Sequence, residues 1–347
     1  MSRRQDFPAK RGDRRKASPF SHERARAHVA ARERHQGPRD NLAVDLRLVG
    51  NFARARDIDA ETLADRRRVL GEDHPYTLHS AGMFGRDMRE LGEYVESIDL
   101  LTATLDRYRA TLGEDFIDTL RTAKSLAVSL RKTGRLSEAL ELTSQTYERY
   151  EATYGERHPD ALACRLNLAC DQSALENKTA AHETASQVLQ VYEDTLGNGH
   201  PFTLAVRNNI STYLRGIRRP RPALQLADRT LAGLRAALGD DHPSTLSCAI
   251  NRANCLYDLD EFADAEAQLD DTLERLIKTL GKRHPDTLAC RANLAVNLRA
   301  AGRTEEADRL QQMVIADMRG ALGEEHPNII MLREWRVQDR DLEVQPT

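Results

Sequence analysis

Apolar residues recur three and four positions apart along most of the chain, with polar residues between them. Leu294 and Leu298 follow this spacing in one stretch, and Leu269, Leu273 and Leu276 follow it in the stretch before. Side chains spaced in this way lie on one face of an α-helix. The pattern therefore predicts a chain built from amphipathic helices, each with one buried and one solvated face.

A short punctuation sequence, Leu-Gly-x-x-His-Pro, separates the helical stretches at a constant interval. Its glycines stand 42 residues apart, and the copy after Gly113 lacks the His-Pro pair. A fixed period over most of a chain predicts a repeat architecture rather than one central core. The seven glycines of this series are Gly71, Gly113, Gly155, Gly197, Gly239, Gly281 and Gly323.

Each unit is predicted to contain two helices, A and B. Proline suits the first turn of a helix and glycine the position after its last turn, so helix A begins at the His-Pro pair and ends before a glycine such as Gly302. The histidines are interpreted as turn and capping residues. Copies in successive units would lie roughly 10 Å apart, too far to share a metal ion. Helix B carries a small residue at a fixed position, which favours close helix packing: Ala55, Ser97, Ala139, Ala181, Ala223, Ala265 and Ala307.

We therefore predict an all-α protein, a right-handed α-α superhelix of six to seven units over residues 41–325. Residues 1–40 hold 12 Lys and Arg against 5 Asp and Glu, and form a basic leader predicted to be mostly disordered. Residues 326–347 are predicted to form a capping helix, from Pro327 to about Val344, and a tail.

Composition and motifs indicate the cellular environment and the kinds of activity to expect. The five cysteines follow no metal-binding or disulfide pattern, which favours a reducing, cytoplasmic environment. No apolar run is long enough to span a membrane. Ser, His, Asp and Cys form no recognisable catalytic arrangement, and the paired carboxylates lie where helices begin. We expect no enzyme activity, no catalytic residue, no metal, no cofactor and no small-molecule substrate.

The units resemble the tetratricopeptide repeat, because helix A ends in glycine and helix B carries an early alanine. The 42-residue length and the Leu-Gly-x-x-His-Pro linker are similar to the kinesin-light-chain branch of that family. Asn41–Gly50, with the pattern N-L-A-x-D-L-R-x-x-G, resembles actinobacterial tetratricopeptide proteins that accompany STAND-type (NB-ARC) ATPase modules, some of them in FxSxx-COOH peptide systems. The resemblance covers residues 41 to about 340. No G-x-x-x-x-G-K-[ST] phosphate loop is present, so the ATPase module of those proteins is absent.

One position of helix A carries an asparagine in five units, and Met83 and Ser125 replace it in the other two. The resemblance implies that helix A lines a concave groove and that an asparagine here hydrogen-bonds the backbone of a bound peptide. The alternative is that these amides only support the stacking of units; an amide has enough donors and acceptors for both. The five predicted groove residues are Asn41, Asn167, Asn209, Asn251 and Asn293, and the neighbours Asn208, Tyr213, Asn254 and Asn297 are predicted to tune specificity.

The function expected from these features is a non-enzymatic scaffold or adaptor that binds a peptide or partner protein in its concave groove. Two alternatives remain. The chain could be a regulatory or sensor arm that acts with a STAND-type ATPase, as the resemblance implies. It could also associate with nucleic acid through its basic leader, although an acidic solenoid would repel phosphate, and nucleic acid is not the expected partner.

Overall fold

The computed structural model describes residues 39–345, which form fifteen α-helices and no β-strand. Residues 1–38 of the basic leader lie outside the described residues, so the disorder expected there stays a prediction. The A helices are α1 (Arg39–Leu48), α3 (Pro75–Glu90), α5 (Ile117–Lys132), α7 (Pro159–Ala174), α9 (Pro201–Gly216), α11 (Pro243–Tyr257), α13 (Pro285–Ala300) and α15 (Pro327–Arg333). The B helices are α2 (Phe52–Leu70), α4 (Tyr94–Leu112), α6 (Leu136–Tyr154), α8 (Lys178–Leu196), α10 (Pro220–Leu238), α12 (Phe262–Thr279) and α14 (Thr304–Leu322).

Each helix packs against the helices before and after it in the sequence, which confirms the predicted all-α solenoid of helical pairs. Successive A helices also contact one another. The A helices are therefore the crowded inner layer of the solenoid, and the B helices are its outer layer. The small residues of helix B that were predicted to allow close packing are all fully buried: Ala55, Ser97, Ala139, Ala181, Ala223, Ala265 and Ala307.

The His-Pro pairs start the A helices. In α13 the His284 Nδ1 atom accepts the backbone N–H of Asp286 at 3.1 Å, and Pro285 occupies the first turn. The same cap begins α3, α7, α9, α11 and α15. Where Phe116 replaces the histidine, the start of α5 has no side-chain cap. The interpretation of these histidines as capping residues is confirmed.

The same histidines also join distant parts of the solenoid. The His284 Nε2 atom lies 2.9 Å from the carbonyl oxygen of Glu90, and His326 Nε2 lies 2.8 Å from that of Lys132; each pair is 194 residues apart. Close contacts accompany these bonds, because a Cβ atom added to Gly134 would lie 2.4 Å from a Pro327 side-chain carbon. Successive turns of the superhelix therefore touch, and the inner layer of A helices is enclosed.

The final helix is shorter than expected. α15 ends at Arg333, whereas the sequence suggested a helix as far as about Val344. Trp335 adopts a φ of 57°, the left-handed conformation that ends helices, and the Arg336 N–H donates to the Met331 carbonyl at 2.8 Å. Residues 336–345 have no regular secondary structure. Their backbone groups bond to side chains of the A helices instead of to one another.

Candidate functional site

Residues 336–345, hereafter the C-terminal segment, lie along the inner layer of A helices. The segment contacts the side chains of α9, α11 and α13 through its own backbone. Three members of the asparagine series predicted from the sequence form the floor beneath it: Asn209, Asn251 and Asn293. The inner face of the A helices together with this asparagine series is called the groove below.

Asn251 pairs with the backbone of a single segment residue through both atoms of its amide. The N–H of Arg340 donates to Asn251 Oδ1 at 2.8 Å, and Asn251 Nδ2 donates to the carbonyl oxygen of Arg340 at 2.8 Å. Two bonds to one residue fix both the position and the direction of the segment backbone. The same pair of bonds joins Asn293 to Gln338 (2.7 and 2.9 Å) and Asn209 to Leu342 (2.8 and 2.9 Å).

These three pairs define a register. Gln338, Arg340 and Leu342 are two residues apart, and their partners are 42 residues apart in the opposite order. Alternate residues that face the same way indicate an extended backbone. The segment therefore runs antiparallel to the order of the units, and two of its residues span one unit.

The amides also support the stacking of units. Asn251 Nδ2 lies 2.9 Å from Asn208 Oδ1, and Asn293 Nδ2 lies 2.8 Å from Asn254 Oδ1. Asn208 and Asn254 in turn donate to the segment carbonyls of Arg340 and Gln338, each at 3.1 Å. Contact with the C-terminal segment and stacking of units are thus combined in one network, in which most amide donors and acceptors are used.

The other predicted groove residues make no hydrogen bond with the described part of the segment. Asn41 is exposed on α1. Asn167 is fully buried, and neither its Nδ2 nor its Oδ1 atom has a hydrogen-bond partner. Asn297 donates to the Phe262 carbonyl on the neighbouring B helix at 2.9 Å. Tyr213 is buried, with its hydroxyl 3.5 Å from Cys170 Sγ.

Two acidic side chains at odd-numbered positions of the segment pair with cations of the A helices. Asp339 lies 2.7 Å from Arg215, and Glu343 lies 2.8 Å from Arg131 and 2.9 Å from Lys132. Burial alone would raise the pKa of Glu343, but the charges of Lys132 and Arg131 outweigh it and lower that pKa to about 2. Glu343 is therefore ionised when the segment is bound at neutral pH.

Side chains at even-numbered positions meet a different surface. Arg340 pairs with Asp286 at the start of α13. Leu342 and Val344 are buried in an apolar cluster formed mainly by α7 to α11. Apolar burial of two side chains adds a stabilising contribution that does not depend on the asparagines.

Beyond the segment, the groove continues as a cavity of about 290 Å³ toward the first units. Arg86, Arg89 and Lys132 line it, and Glu343 and Gln345 reach its edge. Burial lowers the pKa of Arg86 to about 10, and its Nε atom has no hydrogen-bond partner among the described residues. Six Arg and Lys side chains line the cavity against four Asp and Glu side chains, so the lining carries a modest excess of positive charge.

The described residues offer little chemistry apart from recognition. Within residues 39–345, no cluster of three or more His, Cys, Asp or Glu side chains could hold a metal ion. The five cysteines are free and buried, and burial raises the pKa of the Cys164 thiol to about 12, so a nucleophilic thiolate is disfavoured there. The arrangement is suited to holding an extended chain.

Sequence reasoning missed the segment itself and the cations that face it. Two signals were present. An arginine recurs at one position of helix A, six residues after the asparagine, and the segment alternates acidic residues with other types. Both signals have the periods expected of a groove and an extended ligand, 42 and two residues.

Comparison with known proteins identifies the repeat. Models described as tetratricopeptide repeat match residues 37–110, 115–194 and 245–320, and a second model of the same description matches residues 203–244. The chain belongs to the tetratricopeptide repeat family. No curated protein sequence matches this tetratricopeptide chain.

Solved structures share the tetratricopeptide fold. A Rap protein in complex with Competence and Sporulation Factor matches with a TM-score of 0.64 at 14% identity, over 88% of this chain and 80% of that one. The apo form of RapI matches with a TM-score of 0.55 at 12% identity, over 86% and 97%. Kinesin-light-chain TPR-like repeats of Podosopora anserina are 27% identical over 58% of this chain and 95% of that one, with a TM-score of 0.45.

Membrane insertion finds no support among the helices of residues 39–345. None of them combines the length and the apolar character needed to cross a bilayer.

Proposed function

We propose that this tetratricopeptide chain is a non-enzymatic interaction scaffold whose groove binds an extended peptide or partner segment through the asparagine series. One observation carries the proposal: Asn209, Asn251 and Asn293 each hold one residue of an extended backbone by two hydrogen bonds. The groove thus recognises the main chain, which every peptide has, and leaves the side chains to set specificity.

The energetics suit reversible binding. A hydrogen bond contributes about 0.5–1.5 kcal/mol net, so three residues with two bonds each contribute several kcal/mol before the ordering of the peptide is counted. A Rap protein, a protein of the same fold, has been solved with a bound factor. That likeness concerns the fold alone, and the proposal for this chain depends on its own amide contacts.

The finer alternatives have weaker support. A role as the regulatory arm of a STAND-type ATPase depends only on the sequence resemblance, and a nucleic-acid role depends on the leader, outside the described residues. We also propose a reducing, cytoplasmic setting, because all five cysteines are free and buried. The purified chain should show no ATP hydrolysis; turnover that co-purifies with the chain through successive columns would contradict the non-enzyme proposal.

The direct test compares partner capture by three immobilised full-length proteins. The wild-type chain, the double variant Asn209→Ala with Asn251→Ala, and the control Asn297→Ala are exposed to the same native lysate. Asn297 is a buried amide on the same layer that bonds a helix carbonyl and not the segment. Partners held through the groove should be lost from the double variant and retained by the control.

The proposal fails if the double variant, with its helical content intact by circular dichroism, retains the same partners as the wild-type chain. Loss from both variants would indicate general destabilisation of the solenoid, and would also count against recognition through the asparagine series.

A further inference from the structure

A second repeated position of helix A faces the odd-numbered side chains of the segment. It lies six residues after the asparagine position, and its occupants in five consecutive units differ in chemistry. In chain order they are Arg131, Ser173, Arg215, Tyr257 and Arg299. This set is called the selector position below.

Three selector residues follow the register of the asparagine pairs; two contact the segment, and one contacts Trp335, which directly precedes it. The Arg299 guanidinium lies over the Trp335 ring, 4.2 Å from its centroid, the geometry of a cation–π contact. Two units earlier along the chain, Arg215 pairs with Asp339 at 2.7 Å. Two units earlier again, Arg131 pairs with Glu343 at 2.8 Å. Each step of two units corresponds to four segment residues.

The fourth selector residue follows the same register with an apolar side chain. Tyr257 and Val337 pack against the same cluster of buried residues at the end of the solenoid. The groove thus assigns one selector side chain to every second ligand residue: a cation to the aromatic ring, an aromatic ring to the aliphatic chain, and cations to the two acids. Charge and shape complement each other at four of the five places.

The fifth place is mismatched. The register assigns Asp341 to the unit of Ser173, which has no charge, and the Lys178 ammonium there bonds the Ser173 hydroxyl at 3.0 Å. The Oδ1 atom of Asp341 is buried and has no hydrogen-bond partner among the described residues. Burial accordingly raises the pKa of Asp341, although Arg131, Lys132 and Lys178 act in the opposite direction. Asp341 as a whole is half-buried, and a buried carboxylate oxygen without a hydrogen bond opposes binding.

We propose that the C-terminal segment is a tethered, imperfect occupant of the groove. The partner that displaces it is an extended peptide with an aromatic residue, an aliphatic residue, an acid, a neutral polar residue and an acid at alternate positions. The proposal rests on the proposed function and deepens it by naming the ligand chemistry. The partner keeps every contact of the segment and removes the unpaired carboxylate opposite Ser173.

Because the segment is tethered, its mismatch at Asp341 allows a free peptide to displace it. A tethered ligand competes at an effective concentration in the millimolar range, so a perfectly matched segment would keep the groove closed to free peptides. One mismatch weakens the segment without changing its register. A better-matched partner then binds at lower concentration, and the segment excludes poorly matched ones.

The test uses fluorescent peptides with the sequence of residues 334–345 and measures their binding to the full-length chain by anisotropy. Three peptides are compared: the native sequence, an Asp341→Asn version, and a version with Asp339→Asn and Glu343→Gln. Each is titrated against the wild-type chain and against a chain with Glu343→Lys in its own segment, which loosens the tethered occupant.

We expect the Asp341→Asn peptide to bind about tenfold more tightly than the native peptide, and the doubly neutral peptide to bind at least about tenfold more weakly. The Glu343→Lys chain should bind every peptide more tightly than the wild-type chain, with the same order. A Ser173→Arg chain should reverse the preference, and bind the native Asp341 peptide more tightly than the Asp341→Asn peptide.

Several results would overturn the proposal. These are equal binding of the native and Asp341→Asn peptides, unchanged preference in the Ser173→Arg chain, or no binding of any peptide to the loosened chain. Failure of the proposed function is distinguishable, because adding Asn209→Ala and Asn251→Ala would then leave peptide binding unchanged. If the two asparagine substitutions abolish binding but the three peptides bind the unsubstituted groove equally tightly, only the proposed ligand chemistry is wrong.

Discussion

Asn209 and Asn167 occupy the same position in neighbouring units, and both are fully buried. Asn209 exchanges two hydrogen bonds with Leu342 of the C-terminal segment. Both amide atoms of Asn167 lack a partner. The two sites differ in their bonds to the segment and also in the preceding residue, because Asn208 donates to Asn209 Oδ1 at 3.1 Å whereas Leu166 precedes Asn167.

This difference indicates that the asparagine is not required for stacking alone. Asn167 is buried in the stacked layer although its amide has no hydrogen-bond partner among the described residues, so stacking does not need the amide at that unit. The solenoid instead presents a series of amides at constant spacing, and the bound chain determines which of them are used. An unused buried amide is a free-energy cost that a longer or better-placed ligand could remove.

The largest effect is expected when two of the amides that bond the segment are removed together. Asn209→Ala with Asn251→Ala deletes four hydrogen bonds to the segment, at a cost of about 3 kcal/mol. We expect trypsin cleavage after Arg340 to become roughly 100-fold faster, because cleavage follows the population of the released segment. Asn41→Ala is the control, since Asn41 is exposed and does not contact the segment; equal acceleration by both would refute the assignment.

Gly134 contacts Pro327 at the start of α15, the helix that precedes the C-terminal segment. Gly134 and Gly302 have φ values of 83° and 84°, but a Cβ at Gly134 would meet Pro327 at 2.4 Å while nothing lies within 4 Å of Gly302. Alanine strains the backbone equally at both positions. We expect Gly134→Ala to lower the free energy of unfolding by about 2 kcal/mol more than Gly302→Ala, because only the first breaks the contact between turns. Thermal melts of the two variants measure this difference, and equal melting temperatures would show that the turns do not touch in solution.

Neutralising two acids of the segment should change its release rate in opposite directions. Glu343→Gln should speed tryptic release of the segment about tenfold, since it removes an ion pair with Arg131 and Lys132. Asp341→Asn should slow release, since the Oδ1 atom of Asp341 is buried and has no hydrogen-bond partner among the described residues. If neither substitution changes the rate of tryptic release, the two acids are not held in the groove in solution, and the prediction is wrong.

The pH dependence follows from the same two groups. The pKa of Glu343 is lowered in the bound segment, so its contribution is present above its free value of about 4.3 and is lost as the pH falls toward about 2. The raised pKa of Asp341 acts in the opposite sense, because protonation relieves its burial as the pH falls. In a chain with Asp341→Asn, acidification from pH 6 to pH 3 should therefore release the segment more steeply than in the wild-type chain, as measured by amide exchange.

The smallest effect is expected at the unused amide. Asn167→Ala removes a buried group that makes no hydrogen bond, so it should change segment release by less than about 0.5 kcal/mol. An effect as large as that of Asn209→Ala would mean that the segment also pairs with Asn167 in solution.

Much of the fold was predictable because it is local. The three-and-four apolar spacing, the capping histidines and the glycine after each A helix act within one unit, and repetition made them conspicuous. The position of Asn209, Asn251 and Asn293 could be found in the same way. The sequence predicted a scaffold of tetratricopeptide type for these reasons.

The rest depends on relations across the chain. The contact of Gly134 with Pro327 follows from the accumulated rotation of many units, which no single unit encodes. The path of the C-terminal segment depends on amides supplied by α9, α11 and α13, so an isolated stretch rich in helix-forming residues suggested a longer α15. Its alternation of acids, from Asp339 to Glu343, was the one local sign of an extended chain.

Site-resolved amide hydrogen exchange of the segment tests the central claim most directly. The N–H groups of Gln338, Arg340 and Leu342 are bonded to asparagine side chains, so they should exchange slowly, while those of Asp339 and Asp341 exchange faster. Protection at every second residue, lost on Asn209→Ala with Asn251→Ala, is the result predicted by an asparagine series that holds an extended backbone. Uniformly fast exchange, or protection at consecutive residues as in a helix, would contradict it.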